Sequence, residues 1–191
     1  MLRYKLTDFF LALLQSVMNK RRKIALVGNP NSGKTSLFNR LTGLNQRVGN
    51  YPGVTVNKRS GSIKLPNGES CELIDLPGTY SLSSKNDDEK VVQDILLKPD
   101  SESYPDLIVF VADGTNLARN LFFASQVIDL GIPTILAINM IDITERDGDT
   151  IDLEQVSTYF GVPTMGISAR KGTGVSELIK LAETHTAKPT V

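Results

Sequence analysis

The sequence is poor in the residues that build disulfides and zinc sites, with one cysteine and one histidine among 191 residues. Cys71 has no partner for an intramolecular disulfide, which indicates a reducing compartment. His185 alone cannot make a histidine-rich zinc site. Net charge is also lacking, because 21 basic residues balance 21 acidic ones. The electrostatic footprint of a nucleic-acid-binding protein is therefore missing, and no nucleic acid is expected as a partner.

An apolar run long enough to span a membrane is absent as well. The longest candidate, residues 9–18, is about half of the ~20 residues that a span needs. Within residues 1–22, the apolar residues recur on one face of a helix: Leu6, Phe9, Phe10, Leu13, Leu14 and Val17. We predict an amphipathic helix there, packed on the domain or serving as a leader or tag. A membrane-surface or partner-binding helix is the alternative. The chain itself is expected to be soluble.

After residue 22, apolar runs alternate regularly with amphipathic segments. Strands are predicted at 24–28, 106–112, 133–139 and 162–168, and helices at 33–43, 86–98, 116–131, 152–161 and 175–183. Residues 61–76 read as a hairpin turning at Asn67-Gly68. This alternation predicts an α/β fold with a mostly parallel six-stranded sheet, one antiparallel edge strand, and helices on both faces. The expected domain covers 23–184 and is followed by a tail at 185–191. Residues 46–58 are too rich in turn formers to predict a strand.

Residues 28–35, GNPNSGKT, match the phosphate-loop pattern G-x-x-x-x-G-K-[ST] between a predicted strand and a predicted helix. Gly28 and Gly33 let the chain wrap around a phosphate with its N–H groups pointing inward. Lys34 would reach the β and γ phosphates, and the Thr35 hydroxyl would ligate Mg²⁺. The phosphate-binding residues predicted from this match are Asn29, Pro30, Asn31, Ser32, Gly33, Lys34, Thr35 and Ser36.

A second phosphate element follows the hairpin as Asp75-Leu76-Pro77-Gly78. Asp75, at the end of a strand, can hold a magnesium-bound water. The N–H of Gly78 can approach a γ phosphate closely. Alone this pattern is weak, but its position about forty residues after the phosphate loop strengthens it.

The nucleotide base is predicted from the ends of two later strands. In Asn139-Met140-Ile141-Asp142, the carboxylate of Asp142 can accept hydrogen bonds from N1–H and the exocyclic amine of guanine. Adenine lacks that pair of donors and should be rejected. One strand later, Ser168-Ala169-Arg170 can place a backbone N–H at guanine O6. Together these elements predict a guanine nucleotide as the ligand.

These elements, in this order, are those of the small P-loop GTPase domain, with a Ras-like fold. The segments GNPNSGKTSLFN, QRVGNYPGVTV, DLPGTYSL and NMID closely resemble the N-terminal G domain of the bacterial ferrous-iron transport protein B family, over roughly residues 23–184. The resemblance implies a regulatory domain that binds GTP, hydrolyses it slowly, and reports its state through switch loops 45–57 and 75–86. It also implies a longer protein, with a helical spacer and membrane region in cis, at the cytoplasmic face of the inner membrane.

The resemblance also assigns roles in catalysis. Thr55 becomes the switch threonine that closes onto Mg²⁺ and the γ phosphate, alongside Lys34 and Gly78. Asn31, with the carbonyls of Gly49 and Asn50, is implied as the site of a potassium ion.

Two positions depart from the common GTPase pattern. Ras-type enzymes carry a water-orienting glutamine directly after D-x-x-G, and Thr79 stands there instead. Hydrolysis by the domain alone should therefore be slow. Met140 replaces the lysine that is common in N-K-x-D, so we expect modest nucleotide affinity and quick exchange.

Two other functions remain open at this point. One is a ribosome-assembly or RNA-modification GTPase of the Era-like group, although such proteins normally carry a DTPG or DTAG motif and an RNA-binding domain. The other is a nucleotide-gated binding module in which hydrolysis is incidental, an alternative that Thr79 and Met140 keep open.

Overall fold

The computed structural model describes residues 21–43, 46–51, 55–83 and 86–185. The amphipathic helix predicted in residues 1–22 lies outside the described residues up to position 20, and so does the predicted tail after position 185. Residues 45 and 52–54 of the predicted first switch are outside them too, as are residues 84 and 85 of the predicted second switch.

The described residues form seven strands, six α-helices and one short 3₁₀ turn. In chain order they are β1 (Lys23–Val27), α1 (Lys34–Thr42), β2 (Gln46–Asn50), β3 (Asn57–Lys64), β4 (Ser70–Asp75), α2 (Asp87–Leu96), β5 (Leu107–Asp113), the 3₁₀ turn (Gly114–Asn116), α3 (Leu117–Ile128), β6 (Thr134–Asn139), α4 (Ile141–Arg146), α5 (Leu153–Phe160), β7 (Thr164–Gly166) and α6 (Val175–Thr184). None of the helices in these ranges combines the length and the apolar character that crossing a bilayer requires.

The strands make one sheet in the order β2-β3-β4-β1-β5-β6-β7. Strand β1 pairs in parallel with β4 and β5, and the parallel pairing continues through β6 to β7. Strand β3 runs antiparallel to both of its neighbours, β2 and β4. The α/β prediction and the mostly parallel sheet are therefore confirmed.

The predicted count of six strands is wrong, since the described residues form a sheet of seven, while antiparallel pairing at one edge of the sheet is confirmed. Residues 46–50, predicted as loop, form the edge strand β2, which places the antiparallel strand β3 second. All five residues of β2 are exposed, and Val48 keeps 71% of its surface. Main-chain pairing with β3 does not require buried apolar side chains, so β2 has no apolar alternation to detect.

The core lies on both faces of the sheet, because successive residues of a buried strand point to opposite sides. Ile24 and Leu26 of β1 belong to the cluster covered by α1 and α6. Ala25 and Val27 belong to the cluster covered by α2 and α3, with α5 packed at its margin. The prediction of helices on both faces is confirmed.

Most predicted helices are present, with differences at their ends. Asp152 caps α5 by accepting a hydrogen bond from the N–H of Gln155 at 2.9 Å, and Gly161 ends it with φ of 65°. The helix predicted to run to Gly131 stops at Ile128, with Gly131 left-handed two turn residues later. The six-residue α4 is not predicted, because it is too short to develop a helical repeat.

Candidate nucleotide-binding site

The predicted phosphate and base elements follow β1, β4, β6 and β7. These strands run in the same direction, so their carboxyl ends meet at one edge of the sheet. Ligands of open α/β sheets bind outside this edge. The loops 28–33, 75–79, 139–142 and 168–172 are brought together there.

The phosphate loop turns back on itself through two left-handed residues. Asn31 has φ of 64° and Gly33 has φ of 90°, directly before α1 begins at Lys34. Gly28 allows a close approach to the neighbouring strand, because a Cβ on it would lie 2.2 Å from the carbonyl oxygen of Val111. The loop therefore curls over the positive N-terminal end of α1, an arrangement that favours an anion.

Lys34 lies inside this curl, with only 6% of its surface exposed. Its Nζ donates to the carbonyl oxygens of Gly28 at 2.9 Å and Asn29 at 2.7 Å. Burial lowers the pKa of Lys34 to about 8, and the nearby carboxylate of Asp75 opposes that shift only in part. An anionic group in the loop would favour the charged amine.

Several buried polar atoms around the loop have no hydrogen-bond partner among the described residues. They are Nδ2 and Oδ1 of Asn29, Oγ of Ser32 and Oδ1 of Asp75. A buried polar group without a partner costs about 1–3 kcal/mol, and folded proteins rarely leave such groups together. The cluster indicates a polar ligand.

Thr35 and Asp75 form an oxygen pair beside the loop. The Thr35 hydroxyl donates to Oδ2 of Asp75 at 3.0 Å. Burial raises the pKa of Asp75, while the Thr35 hydroxyl, Lys34 and Arg59 each act in the opposite direction. Hydroxyl and carboxylate oxygens are the ligands that Mg²⁺ prefers, so these residues fit a magnesium ion.

The second phosphate element packs directly on the first. A Cβ on Gly78 would lie 2.8 Å from Cα of Pro30 and 3.1 Å from Nζ of Lys34, so only glycine fits this approach. The next residue, Thr79, is 2% exposed, and its N–H donates to the carbonyl oxygen of Gly28 at 3.4 Å. Thr79 occupies the position that glutamine has in Ras-type enzymes. Its side chain is buried, so it does not face a reaction site.

Asn139 joins the phosphate loop to the predicted base loop. Its Nδ2 donates to the carbonyl oxygen of Ser32 at 2.9 Å, and its Oδ1 accepts from the N–H of Ala169 at 2.9 Å. Gly33 leaves the space for this amide, since a Cβ there would lie 2.1 Å from Nδ2. Asn139 thus positions both loops, a role that the sequence did not indicate.

Replacing Gly33 with alanine should destabilise the protein by about 3 kcal/mol, since it adds a clash with Asn139 to left-handed backbone strain. Gly148→Ala is a matched control, because Gly148 has φ of 88° and open space around it. We expect the control to cost only about 1 kcal/mol. Urea unfolding of both variants measures the difference, and equal losses would contradict the packing argument.

Asp142 lies on α4, with its side chain 20% exposed and 3.1 Å from Nζ of Lys171. Hydrogen bonds from Lys171 and then Ser168 lower the pKa of Asp142, so it is a carboxylate at neutral pH. Met140 enters α4 with a left-handed φ of 63°. Lys171 is not among the residues predicted from the sequence, where its signal is a basic residue three positions after Ser168.

The structure places the other predicted base and phosphate residues at the same edge. Ser168 and Ala169 are buried, whereas the side chain of Arg170 is exposed. The carbonyl oxygens of Ala169 and Arg170 accept hydrogen bonds from Arg40, another residue that the sequence analysis did not single out. Ser36 is exposed in the first turn of α1.

Three residues predicted for the first switch, Thr55, Gly49 and Asn50, are not brought into this cluster. Thr55 is exposed, and it follows residues 52–54, which are not described. Gly49 and Asn50 lie in the exposed edge strand β2. Within the described ranges, no hydrogen bond joins any of these three residues to Asn31.

Comparison with known proteins gives a consistent result. The family described as ferrous iron transport protein B matches residues 22–182. The chain is similar to the Fe(2+) transporter FeoB of Leptospira biflexa, with 43% identity over 159 residues that cover 83% of this chain. It is 42% identical over 176 residues to the Salmonella typhimurium transporter of the same name, covering 90% of this chain. It spans 22% of the length of each relative.

Solved structures agree with the sequence relatives. A crystal structure of an S. thermophilus NFeoB mutant bound to mGDP has a TM-score of 0.80 and 47% identity, covering 87% of this chain and 62% of that chain. The cytosolic domain of the T. maritima FeoB iron transporter in apo form has a TM-score of 0.82 and 40% identity, covering 88% of this chain and 65% of that chain.

The relatives and structures described above are iron transporters or their G and cytosolic domains, so the Era-like alternative is not supported. The family match extends over more than four fifths of the chain and contains all four loops of the site. The chain therefore belongs to the ferrous iron transport protein B family.

Proposed function

We propose that this chain is a guanine-nucleotide-binding domain that hydrolyses GTP slowly and regulates a ferrous-iron transporter. The observation that carries the proposal is the phosphate loop itself. A buried lysine and unpartnered polar atoms of Asn29, Ser32 and Asp75 surround one curl of main chain at the N-terminus of α1. Such a curl is suited to a polyphosphate. In the family's solved structures named above, the S. thermophilus protein is bound to mGDP.

Each predicted site residue has a role in this proposal. The loop from Asn29 to Ser36 binds the phosphates, with Lys34 supplying positive charge and Gly78 a close N–H. Asp142 selects guanine, with Met140 packing beside the base. The segment Ser168–Arg170 supplies N–H groups to the base, and Asn139 holds the two loops in register.

Thr35 and Asp75 would hold Mg²⁺, joined by Thr55 when the first switch closes. When bound, the ion neutralises charge on the β and γ phosphate oxygens. Oδ1 of Asp75 has no partner among the described residues, so it is available for a metal-bound water.

Slow hydrolysis is expected from the arrangement of Thr79. Its hydroxyl donates to the carbonyl oxygen of Ser81 at 2.8 Å, and the residue is buried. A side chain committed in this way does not orient an attacking water, a task that glutamine performs in Ras-type enzymes.

The second switch, 75–86, can report the nucleotide state to two helices. The N–H of Leu82 donates to Gln126 of α3 at 3.0 Å, and its carbonyl oxygen accepts from Gln93 of α2 at 3.2 Å. The ring of Tyr80 lies 4.2 Å from the guanidinium of Arg119, also on α3. A shift at Gly78 would therefore strain contacts with both helices.

The test of the proposed activity is hydrolysis by the purified protein. With Mg²⁺, it should convert GTP to GDP and phosphate at about 10⁻⁴ to 10⁻² s⁻¹ in single turnover, and it should leave ATP intact. Thr35→Val keeps the side-chain shape and removes the hydroxyl, so it should lose the magnesium response. Tight GTP binding without turnover would favour a nucleotide-gated binding module.

Potassium stimulation is a further part of the proposal, with Asn31 and the carbonyls of Gly49 and Asn50 as ligands. These residues are exposed, so they remain accessible to an ion from solvent. We expect GTP turnover to be about tenfold faster in KCl than in NaCl, as removal of comparable charge stabilisation costs at least that factor. Asn31→Ala should abolish the difference. Equal turnover in the two salts would remove potassium from the mechanism.

We also propose that residues 23–184 act as one G domain, preceded by the amphipathic helix of 1–22 and followed by the tail 185–191. In this view the domain is soluble and works at the cytoplasmic face of the bacterial inner membrane. A helical spacer and a membrane region in cis are its partners. Family membership supports this placement, because the relatives are named as iron transporters and are several times longer than this chain.

A further inference from the structure

We propose that Arg40 is a positioning residue that fixes the base-binding loop 168–172 and thereby sets how long a guanine nucleotide stays bound. The inference rests on the proposed function, because it assigns that loop to the base. Arg40 is in the last turn of α1, six residues after Lys34, on the helix whose first turn carries the phosphate loop.

The guanidinium of Arg40 bridges two consecutive carbonyl groups. Its Nε donates to the carbonyl oxygen of Ala169 at 2.5 Å, and its Nη2 donates to that of Arg170. The planar fork of an arginine suits two acceptors held side by side, and a lysine amine could not reproduce it. Two successive peptide groups are therefore fixed by a residue 130 positions earlier in the chain.

Fixing these carbonyl groups also fixes the N–H groups of the same peptides. In a planar trans peptide the C=O and the N–H point in opposite directions. The carbonyl of Ala169 shares its peptide with the N–H of Arg170, a donor for which no partner is described in the loop. With Arg40 holding the carbonyl side, that N–H is directed away from α1 and is available to the base.

Gly172 supports the same interpretation independently. It has φ of 91°, and a Cβ there would lie 2.7 Å from a guanidinium nitrogen of Arg40. The loop thus folds directly over the arginine, in a left-handed conformation that favours glycine. On the opposite side, the N–H of Ala169 bonds to Asn139. The loop is therefore held by both Arg40 and Asn139. It is ordered before a base binds, so binding loses little conformational entropy.

Arg40 also connects the two halves of the site mechanically. The helix α1 is nine residues long, or about 13 Å, with the phosphate loop at one end and the clamp on 168–172 at the other. The spacing between the phosphate and base subsites is then set by one rigid helix. Loss of the clamp should loosen the base end alone.

The experiment compares the full chain with Arg40→Ala and Arg40→Lys, with Arg21→Ala as control. Arg21 is an exposed arginine that has no hydrogen bond or ion pair among the described residues and lies outside the four loops of the site. Dissociation rates are measured for GDP and for 2-aminopurine riboside diphosphate, which lacks the O6 acceptor. Amide hydrogen exchange of residues 168–173 is measured without nucleotide, and urea unfolding monitors the fold.

We expect Arg40→Ala to release GDP about tenfold faster, the factor for one good hydrogen bond, with less than about twofold change for the 2-aminopurine ligand. Arg40→Lys should release GDP at an intermediate rate. It also provides the test if the alanine variant does not fold. Amides of the loop should exchange faster in both variants, and Arg21→Ala should behave as the parent protein does.

Two results would overturn the inference. One is unchanged exchange of the loop amides in the Arg40 variants, which is measurable whether or not the protein binds GDP. The other is an equal acceleration for both ligands, which would mean general loosening. Failure of the parent chain to bind GDP would instead refute the proposed function.

Discussion

Lys34→Ala is expected to weaken GDP binding by on the order of 100-fold while the protein stays folded. The amine is the one cation inside the phosphate loop among the described residues, and its present partners are the carbonyl oxygens of Gly28 and Asn29. A charge-assisted hydrogen bond contributes about 1.5–3 kcal/mol, and every 1.4 kcal/mol is a factor of ten in affinity. Two phosphate contacts from one amine account for the expected loss.

The free protein should tolerate this change better than the complex does. Burial already disfavours the ammonium form, as the lowered pKa of Lys34 indicates, so its removal also relieves a desolvation cost. Isothermal titration with GDP, alongside urea unfolding, separates affinity from stability. Lys180→Ala, an exposed lysine on α6, is the control. Parent-like affinity in Lys34→Ala would exclude a phosphate-binding role for the Lys34 amine.

Asp142→Asn should reverse the base preference from GTP towards xanthosine triphosphate. The carboxylate accepts from two guanine donors, whereas asparagine presents one acceptor and one donor, the pattern that matches xanthine. Sites built around such hydrogen bonds discriminate strongly, since a mismatch leaves buried groups unpaired. We expect GTP to bind on the order of 100-fold more weakly.

The ion pair between Asp142 and Lys171 requires its own control. Asp142→Asn also breaks that pair, in which the two charged atoms lie 3.1 Å apart. Lys171→Ala breaks it without changing the hydrogen-bonding pattern offered to the base. It should alter GTP and xanthosine triphosphate binding by similar factors. Competition of both nucleotides against a fluorescent analogue measures the ratio of their affinities. Unchanged GTP binding in Asp142→Asn would contradict the assignment of Asp142 to the base.

Features of this protein that depend on short stretches of chain can be read from its sequence. The pattern GNPNSGKT specifies its own backbone, because glycine at 33 and a left-handed Asn31 allow the curl, and lysine follows at once. Buried parallel strands are recognisable because both of their faces are apolar, as in residues 107–112. The α/β class and the order of the loops followed from these local signals.

How those stretches meet depends on contacts between residues that are far apart in the chain. Strand β2 forms because its main chain pairs with that of β3. Its own residues are exposed, so their pattern does not predict a strand. The hydrogen bond from Asn139 to Ser32 joins residues 107 positions apart. The hydrogen bond from Arg40 to Arg170 joins residues 130 positions apart. Single polar side chains carry these contacts, and a polar residue in sequence looks the same whether it faces solvent or another loop. Only the folded chain brings Asn139 and Arg40 to the loops that they hold in place.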